Sequence, residues 1–595
     1  MRTYATPRLS KSATTGNLTD DVQARVSADA GHVAFRRPGP SGWTNVTAAQ
    51  FRDDVVAVAK GLVAAGVAAG DRVALLSKTR YEWTVFDYAT WWAGAVVVPI
   101  YETSSTEQIS WILSDSAAIA CVVETDAHLT RVAEVQPQLP ELAHVWAIDG
   151  DAVDALAALG RDIPEDTLEA RRGASGPDTA ATLIYTSGTT GRPKGCVLTH
   201  GNFIADLDAV TPALPELFGL DDASTLLFLP LAHVFARIIQ LGCVRTGVTM
   251  GHNADVKNLM SSLQEFQPTF LLAVPRVFEK VANAASQRAT AEGRGRIFDK
   301  ATETAIAFSR AQDANGPGLR LRLRHSVFDR LVYAKLRAAL GGKLTYAVSG
   351  GAPLGERLAH YFRGIGVPVL EGYGLTETTA ALSVNLPGDT KIGTVGRPVP
   401  GTEVLVADDG ELLFRGGQVF TGYWHNPSAT AEALEPDGWF HTGDIGEIDD
   451  EGFVRITGRK KEILVTAGGK NVAPAVLEDR LRGHPLVSQC MVVGDGKPFI
   501  AALVTLDSEV LGPWAAGHGK ADDLAALATD PDLRAEIQTA VDNANSLVSK
   551  AESIRKFAIL PVDWTEAAGQ ITPTLKLKRA VVMSDFHDDV EALYN

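Results

Sequence analysis

Hydrophobic and polar positions along this chain follow two periods in turn. Compact apolar runs at 72–76, 95–100, 121–123 and 145–147 have the length and make-up of buried strands. Between them, apolar residues return every third or fourth position, as on one face of a helix. The first helix is announced by Thr47-Ala48-Ala49-Gln50, a capping box with Thr and Gln three apart. It carries Phe51, Val55, Val58 and Leu62 on one face and ends near Gly66. A short strand at 43–46 precedes it, and a helix over 81–93 lies between the strands at 72–76 and 95–100. This alternation predicts a mainly parallel sheet in an α/β fold.

The pattern changes twice downstream. Strands at 181–185 and 196–199 flank a polar loop, and helices over 201–210 and 256–266 alternate with strands at 226–229 and 269–274. Residues 282–340 form an Arg- and Ala-rich helical stretch broken at Asn315-Gly316-Pro317-Gly318, with its charges on solvated faces. Strands at 344–348 and 367–371 each run into a Gly-rich turn. The strand-rich stretch 401–423 turns at Asp408-Asp409-Gly410 and Arg415-Gly416-Gly417 and predicts a small β-barrel-like subdomain. A strand at 453–456 then meets the charged joint Gly458-Arg459-Lys460-Lys461-Glu462. Beyond it, a helix near 473–481, a hairpin over 489–506, a helical segment and a basic tail make a compact α+β domain. The expected organisation is a large N-terminal domain of α/β sheets plus the small subdomain (1–458), a hinge (459–461), and a smaller mobile α+β domain (462–595). Two polar stretches are read as having no regular structure: a mobile arm at 3–17 and a connector at 163–178.

Length agrees with more than one domain, at 595 residues. The net charge of −16 argues against a nucleic-acid partner, although a nucleotide needs only a local positive site. Cys121, Cys196, Cys243 and Cys490 form no close pair, so no zinc or redox motif is present and a reducing, cytoplasmic setting is expected. Residues 1–20 contain no apolar run of a secretory signal. No stretch reaches the roughly 20 apolar residues of a membrane span.

The candidate chemistry starts at Thr186-Ser187-Gly188-Thr189-Thr190-Gly191-Arg192-Pro193-Lys194-Gly195. Glycines let backbone N–H groups turn toward an anion. The hydroxyls of Thr186, Ser187, Thr189 and Thr190 suit phosphate oxygens or Mg²⁺, and Lys194 adds a mobile charge. Gly195 and a strand follow Lys194, where a Walker loop needs Ser or Thr and a helix. The string is therefore a polyphosphate loop joining two strands. It resembles the phosphate loop of the adenylate-forming ligases, the superfamily of acyl-CoA synthetases, luciferases and peptide-synthetase adenylation domains.

Further motifs extend the resemblance over nearly the whole chain. Glu371-Gly372-Tyr373-Gly374-Leu375-Thr376-Glu377-Thr378 is similar to the family's second core motif. That likeness implies Tyr373 on the adenine, Thr376 on the α-phosphate and Glu377, with Thr186, on Mg²⁺. A flat aromatic face, a hydroxyl and a hard oxygen ligand suit those tasks. Ser349-Gly350-Gly351-Ala352-Pro353 resembles the adenine-side loop. Trp439-Phe440-His441-Thr442-Gly443-Asp444 resembles the ribose motif, with Asp444 accepting from the ribose hydroxyls and Arg459 reaching the same sugar. His233 and Phe235 match the segment bordering the carboxylate site, though a histidine on an apolar stretch also serves as a core residue. Ala273-Val274-Pro275-Arg276-Val277-Phe278-Glu279-Lys280, together with Ser349 to Pro353 and the tail Thr572-Pro573-Thr574-Leu575-Lys576-Leu577-Lys578-Arg579, resembles the long-chain fatty acyl-CoA synthetase branch; Arg276 and Phe278 equally suit a structural role.

The resemblance implies a catalytic lysine from the small domain, Lys576 by register, with Lys578 the alternative because Leu575 stands where the family commonly has Gly. Lys461 occupies the hinge position. The implied function is ATP-dependent activation of a long-chain fatty acid as acyl-adenylate, then transfer to CoA, with release of AMP and pyrophosphate. ATP, Mg²⁺ and coenzyme A are the implied cofactors. Delivery to a carrier protein and a non-catalytic ATP- or acyl-binding role are the alternatives. Peripheral contact with the inner face of a membrane and a homodimer are left open.

Overall fold

The computed structural model describes residues 2–9, 14–39, 42–186, 192–572 and 576–595. Its seven-stranded sheet runs, edge to edge, Gly422–Tyr423, Lys194–Thr199, Ala180–Thr186, Val96–Ile100, Arg72–Leu76, Ala120–Val123 and His144–Ala147. The last five strands are parallel; the pairings made by Lys194–Thr199 on either side are antiparallel. A nine-stranded sheet contains the parallel strands Val369–Tyr373, Tyr346–Ser349, Phe270–Ala273, Ser224–Leu227 and Thr249–His252.

The helix Tyr81–Trp92 explains how the sheets hold together. Every residue in it except Glu82 is buried, including Trp83, Trp91 and Trp92. A helix buried on all sides belongs between layers, and its core cluster takes residues such as Val97 and Leu198 from one sheet and Met250 and Phe270 from the other. At the centre, Arg237 and Asp87 form a fully buried ion pair. Thr182 accepts from the guanidinium at 2.7 Å, Gln240 donates to the carboxylate at 3.1 Å, and the ring of Trp91 lies 5.1 Å from the guanidinium. A buried charge pair is tolerated only with its remaining hydrogen bonds made.

The small subdomain is a five-stranded antiparallel sheet: Arg2–Ala5, Glu403–Val406, Glu411–Arg415, Phe440–Ile448 and Val454–Arg459. The smaller C-terminal domain centres on Val487–Val493, Ile500–Leu506 and Ile554–Ile559. Successive residues of Val487–Val493 serve two cores, Cys490 and Val492 in one, Met491 and Val493 in the other. The sheet is therefore covered on both faces.

Three local expectations are corrected. Residues 2–5 are an edge strand, paired Arg2 to Val406 through Ala5 to Glu403. At the far end of the supposed arm, the Asn17 side chain donates to the carbonyls of Arg172 at 2.9 Å and Ser175 at 3.0 Å. The connector contains a helix, Glu165–Ala174, with Glu165 and Asp166 in its first turn and Arg171 and Arg172 in its last. Those charges complement the helix dipole, a signal outweighed in the sequence by flanking Pro and Gly. The helical stretch at 282–340 begins earlier, at Pro275, and is also interrupted at 292–294.

Candidate active site

Parallel strands present their carboxyl ends to one side, where α/β proteins bind ligands. Tyr101 follows Val96–Ile100, Thr186 ends Ala180–Thr186, Gly350 and Gly351 follow Tyr346–Ser349, and Gly374, Thr376 and Glu377 follow Val369–Tyr373. All line one cavity of about 750 Å³, together with His233, Phe235, Lys194, Arg459, Lys461 and Lys576. Its volume suits a small molecule.

The strands Ala180–Thr186 and Lys194–Thr199 form a hairpin on one side of the cavity. Thr186 lies opposite Lys194 and Tyr185 opposite Gly195. Ser187, Gly188, Thr189, Thr190 and Gly191 lie outside the described residues. The base of their loop is pinned by the Trp111 indole, which donates to the Pro193 carbonyl at 2.9 Å, and by the Tyr185 hydroxyl, which donates to Asp115 at 2.6 Å. Gly195 cannot be larger without a shift, because a Cβ there would lie 3.1 Å from the Tyr185 ring and 3.3 Å from Trp424. Packing therefore explains the glycine after the lysine.

The second motif folds back just as tightly. A Cβ on Gly374 would lie 1.3 Å from the Ala380 carbonyl oxygen. Thr379 and Ala380 take φ of 57° and 117°, a strained path for residues with side chains. The turn brings Glu377 to the cavity, where the Tyr423 hydroxyl donates to its carboxylate at 2.9 Å. Lys194 sits 5.2 Å from the centre of the Tyr423 ring. Phe235 packs against Gly350, where a Cβ would meet its ring at 3.0 Å.

Asp444, Tyr373 and Arg459 form a compact group. The Tyr373 hydroxyl donates to one oxygen of Asp444 at 2.6 Å, and Arg459 Nε lies 3.1 Å from the other. Burial pushes the Asp444 carboxyl up, while Arg459 and the tyrosine hydrogen bond oppose the rise. Nearby on the cavity wall, Glu411 accepts from the Gly443 N–H at 2.9 Å and from Lys460 at 2.8 Å, and lies 3.3 Å from His441 Nδ1. Burial raises the Glu411 carboxyl, but these partners outweigh it and leave the group below the usual carboxylate range.

Lys576 comes from the C-terminal domain. Its N–H donates to the Thr572 hydroxyl at 2.9 Å and its carbonyl accepts from the Thr572 N–H at 2.8 Å. The side chain is reached by the water of the cleft, yet the surrounding protein dehydrates it and Arg459 repels it, so its ammonium is held below the ordinary lysine value. Asp444, Glu377 and Glu462 pull the other way. His233 is pushed down to about 3, first by burial and then by Lys576. It is therefore neutral, and its Nδ1 accepts from the Phe235 N–H at 3.1 Å. The lining of the cavity also includes the apolar side chains of Val210, Leu214, Leu217, Phe218, Ile238 and Ile239.

The model of the AMP-binding enzymes matches residues 22–424, and that of the AMP-binding enzyme C-terminal domain matches residues 461–595. The chain belongs to the AMP-binding enzymes. Two relatives are named long-chain-fatty-acid–CoA ligase FadD15, from Mycobacterium bovis and Mycobacterium tuberculosis. Each is 54% identical over 572 residues, 95% of this chain and 95% of its own. Among solved structures, the anthranilate CoA ligase AuaEII in complex with anthranoyl-AMP matches at a TM-score of 0.74 and 22% identity, over 96% of this chain and 98% of that one. That likeness is one of fold.

Most residues singled out in this AMP-binding enzyme's sequence meet at the cavity: Thr186, Lys194, His233, Phe235, Gly350, Gly351, Gly372, Tyr373, Gly374, Thr376, Glu377, Arg459, Lys461 and Lys576. Three do not line it. Ala352 is exposed on the adenine-side loop. Asp444 stands behind Tyr373, with both carboxylate oxygens engaged. Glu371 turns away, accepts from the Leu354 N–H at 3.0 Å, and is pushed up to about 7 by burial. Lys578 lines the cavity as well; Lys576 is the lysine whose charge lowers both Asp444 and His233. Sequence reasoning missed Tyr423, Glu411 and Lys460. Glu411 directly follows the turn Asp408-Asp409-Gly410 with no motif of its own, and nothing local marks a tyrosine that will face a glutamate 46 positions away.

Proposed function

We propose that this AMP-binding enzyme joins a long-chain fatty acid to CoA at the expense of ATP, through an acyl-adenylate. The observation that carries the reading is the meeting of a lysine from the small domain with the hairpin, Glu377, Arg459 and an apolar lining at one cavity. An acyl chain suits the apolar lining, and a nucleoside triphosphate suits Thr186, Lys194 and Arg459. The names of the 54%-identical relatives agree with that choice of acid.

In the first half-reaction a carboxylate oxygen attacks the α-phosphorus. The new O–P bond forms as the bond to the β-phosphate bridge breaks, and pyrophosphate leaves. Lys576 and Arg459 offset the charge that gathers on the α-phosphate oxygens. Lys194 and Thr186 hold the leaving phosphates. Neutral His233 and Phe235 border the carboxylate without adding charge. Glu377 and Thr186 are hard oxygen donors on the same wall and fit Mg²⁺, which, when bound, neutralises phosphate charge. No group of three acidic, His or Cys ligands for a metal occurs among the described residues, so phosphate and water oxygens would complete its shell. In the second half-reaction the CoA thiolate attacks the acyl carbon, a thioester forms, and AMP departs with the carboxyl oxygen.

Between the halves, residues 462–595 turn on the rest of the chain about the joint 459–461, with Lys461 at the pivot. Lys461 lies in the short turn Lys460–Glu462 that follows the strand Val454–Arg459. The turn withdraws Lys576 and brings Gly468-Gly469-Lys470 toward a pantetheine channel. The test is a series of carboxylic acids from short to long, scored for pyrophosphate release and for CoA thioester. Pyrophosphate without thioester defeats the CoA reading; neither product with any fatty acid defeats the ligase reading.

A further inference from the structure

Leu319, Leu323, Val327 and Leu331 stand in a row and are 79%, 69%, 56% and 55% exposed. They lie on the helix Leu319–Phe328 and the π-helical turn Asp329–Tyr333 that continues it. Their spacing of four stacks them on one face. The row belongs to a firmly seated element. Phe328, Val332 and Leu336 pack on the core, the Tyr333 hydroxyl donates to the Ala301 carbonyl at 2.6 Å, and His325 Nε2 meets the Gly364 carbonyl at 2.7 Å. A single exposed leucine needs no explanation; a continuous apolar row does.

The charge around the row is opposite to that of the molecule. From 319 to 337 there are six cations, Arg320, Arg322, Arg324, Arg330, Lys335 and Arg337, against the single carboxylate of Asp329, in a chain of net charge −16. Asp329 is paired with Arg337 at 2.7 Å. Among the described residues, Arg322 and Arg324 donate to the carbonyls of Pro317 and Lys300, Arg324 also lies 5.8 Å from the centre of the Phe328 ring, and neither meets a carboxylate. No carboxylate among the described residues pairs with Arg320, Arg330 or Lys335.

We propose that this face docks the protein on a bilayer containing anionic phospholipid. The apolar row enters the boundary between headgroups and acyl chains, and the flanking guanidinium and ammonium groups meet lipid phosphates. A second copy of the chain is a poor occupant, because a two-fold contact lays the cationic patch on itself. No helix among the described residues is long and apolar enough to cross a membrane, so the contact is lateral. Its meaning as the source of a membrane-dissolved substrate rests on the fatty-acid reading; the docking itself does not.

Flotation of the full chain with lipid vesicles tests the proposal. Wild type is expected to float with phosphatidylglycerol mixed into phosphatidylcholine, to stay behind with phosphatidylcholine alone, and to be released by added salt. Arg320→Glu with Arg324→Glu is expected to weaken partition roughly 30-fold or more. Leu323→Ser with Val327→Ser is expected to weaken it roughly tenfold. Both variants should melt with wild type and release pyrophosphate normally with a short, water-soluble acid. The proposal is overturned if wild type ignores anionic vesicles or if both variants float as well as wild type. It is also overturned if both variants abolish a wild-type dimer that binds no lipid. Absence of pyrophosphate release with every fatty acid would defeat the fatty-acid reading and leave the docking untouched.

Discussion

The ammonium of Lys576 is lowered first by dehydration and then by Arg459, from an ordinary value of 10.5. It must carry charge to act on an α-phosphate. The adenylation half-reaction is therefore expected to lose rate below pH 10.5 on its alkaline side. Lys576→Arg keeps a charge that does not titrate and is expected to flatten that limb. Lys576→Ala is expected to cut acid-dependent pyrophosphate release by roughly 10²–10³, while thioester formation from supplied acyl-adenylate continues. An unchanged alkaline limb in Lys576→Arg would remove the residue from this role.

Asp206 makes a different prediction at the same scale. It is fully buried, one oxygen accepts from the Ala381 N–H at 3.2 Å, and the other has no partner among the described residues. Burial raises its carboxyl well above the usual range. Below the ordinary value of 3.8 both folded and unfolded chains hold the proton, and the residue carries no titration penalty. As pH rises, the unfolded chain ionises first, and stability falls until the folded carboxyl also ionises. Asp206→Asn is expected to stabilise the protein near neutral pH, with the gain shrinking toward pH 4. Melting temperatures of both proteins across that range decide it; a gain independent of pH would reject the cause.

Among the elements, the hairpin of Ala180–Thr186 and Lys194–Thr199 was legible because two apolar runs around a glycine-, hydroxyl- and lysine-rich loop are local signals. The Glu411 group was not, because it gathers a strand, the ribose-motif loop and the joint from 32 and 49 positions away. Glu411→Gln loses its ion pair with Lys460 and weakens its hold on Gly443. It is expected to raise the KM for ATP roughly tenfold while kcat changes less. An equal loss in kcat would mean that Glu411 acts on the transition state. The strand Arg2–Ala5 and the helix Glu165–Ala174 escaped sequence reading for a related reason. Both are polar segments whose order comes from partners: Glu403–Val406 for the strand, and for the helix the contacts of Asn17 and the Trp92 indole, which donates to Glu169 at 3.0 Å.

Across the whole molecule, ion pairs join the two domains. Arg276 meets Asp507 at 2.8 Å, and Lys280 approaches Glu509 at 3.6 Å. They support the arrangement that has Lys576 in the cavity. Arg276→Asp is expected to slow adenylation roughly fivefold, about 1 kcal/mol, with little effect on thioester formation, and Asp507→Arg in the same chain is expected to restore the rate. Equal slowing of both halves, unrelieved by the exchange, would exclude this role. By itself the sequence determined the α/β alternation, the family and the chemical kind of each motif, because periodicity, glycine placement and side-chain type act over a few residues. Only the tertiary structure decided that Tyr423 faces Glu377, that Tyr373 and Arg459 share Asp444, and that Lys576 enters beside them. Those are distances between residues far apart in the chain, set by how sheets stack and domains close.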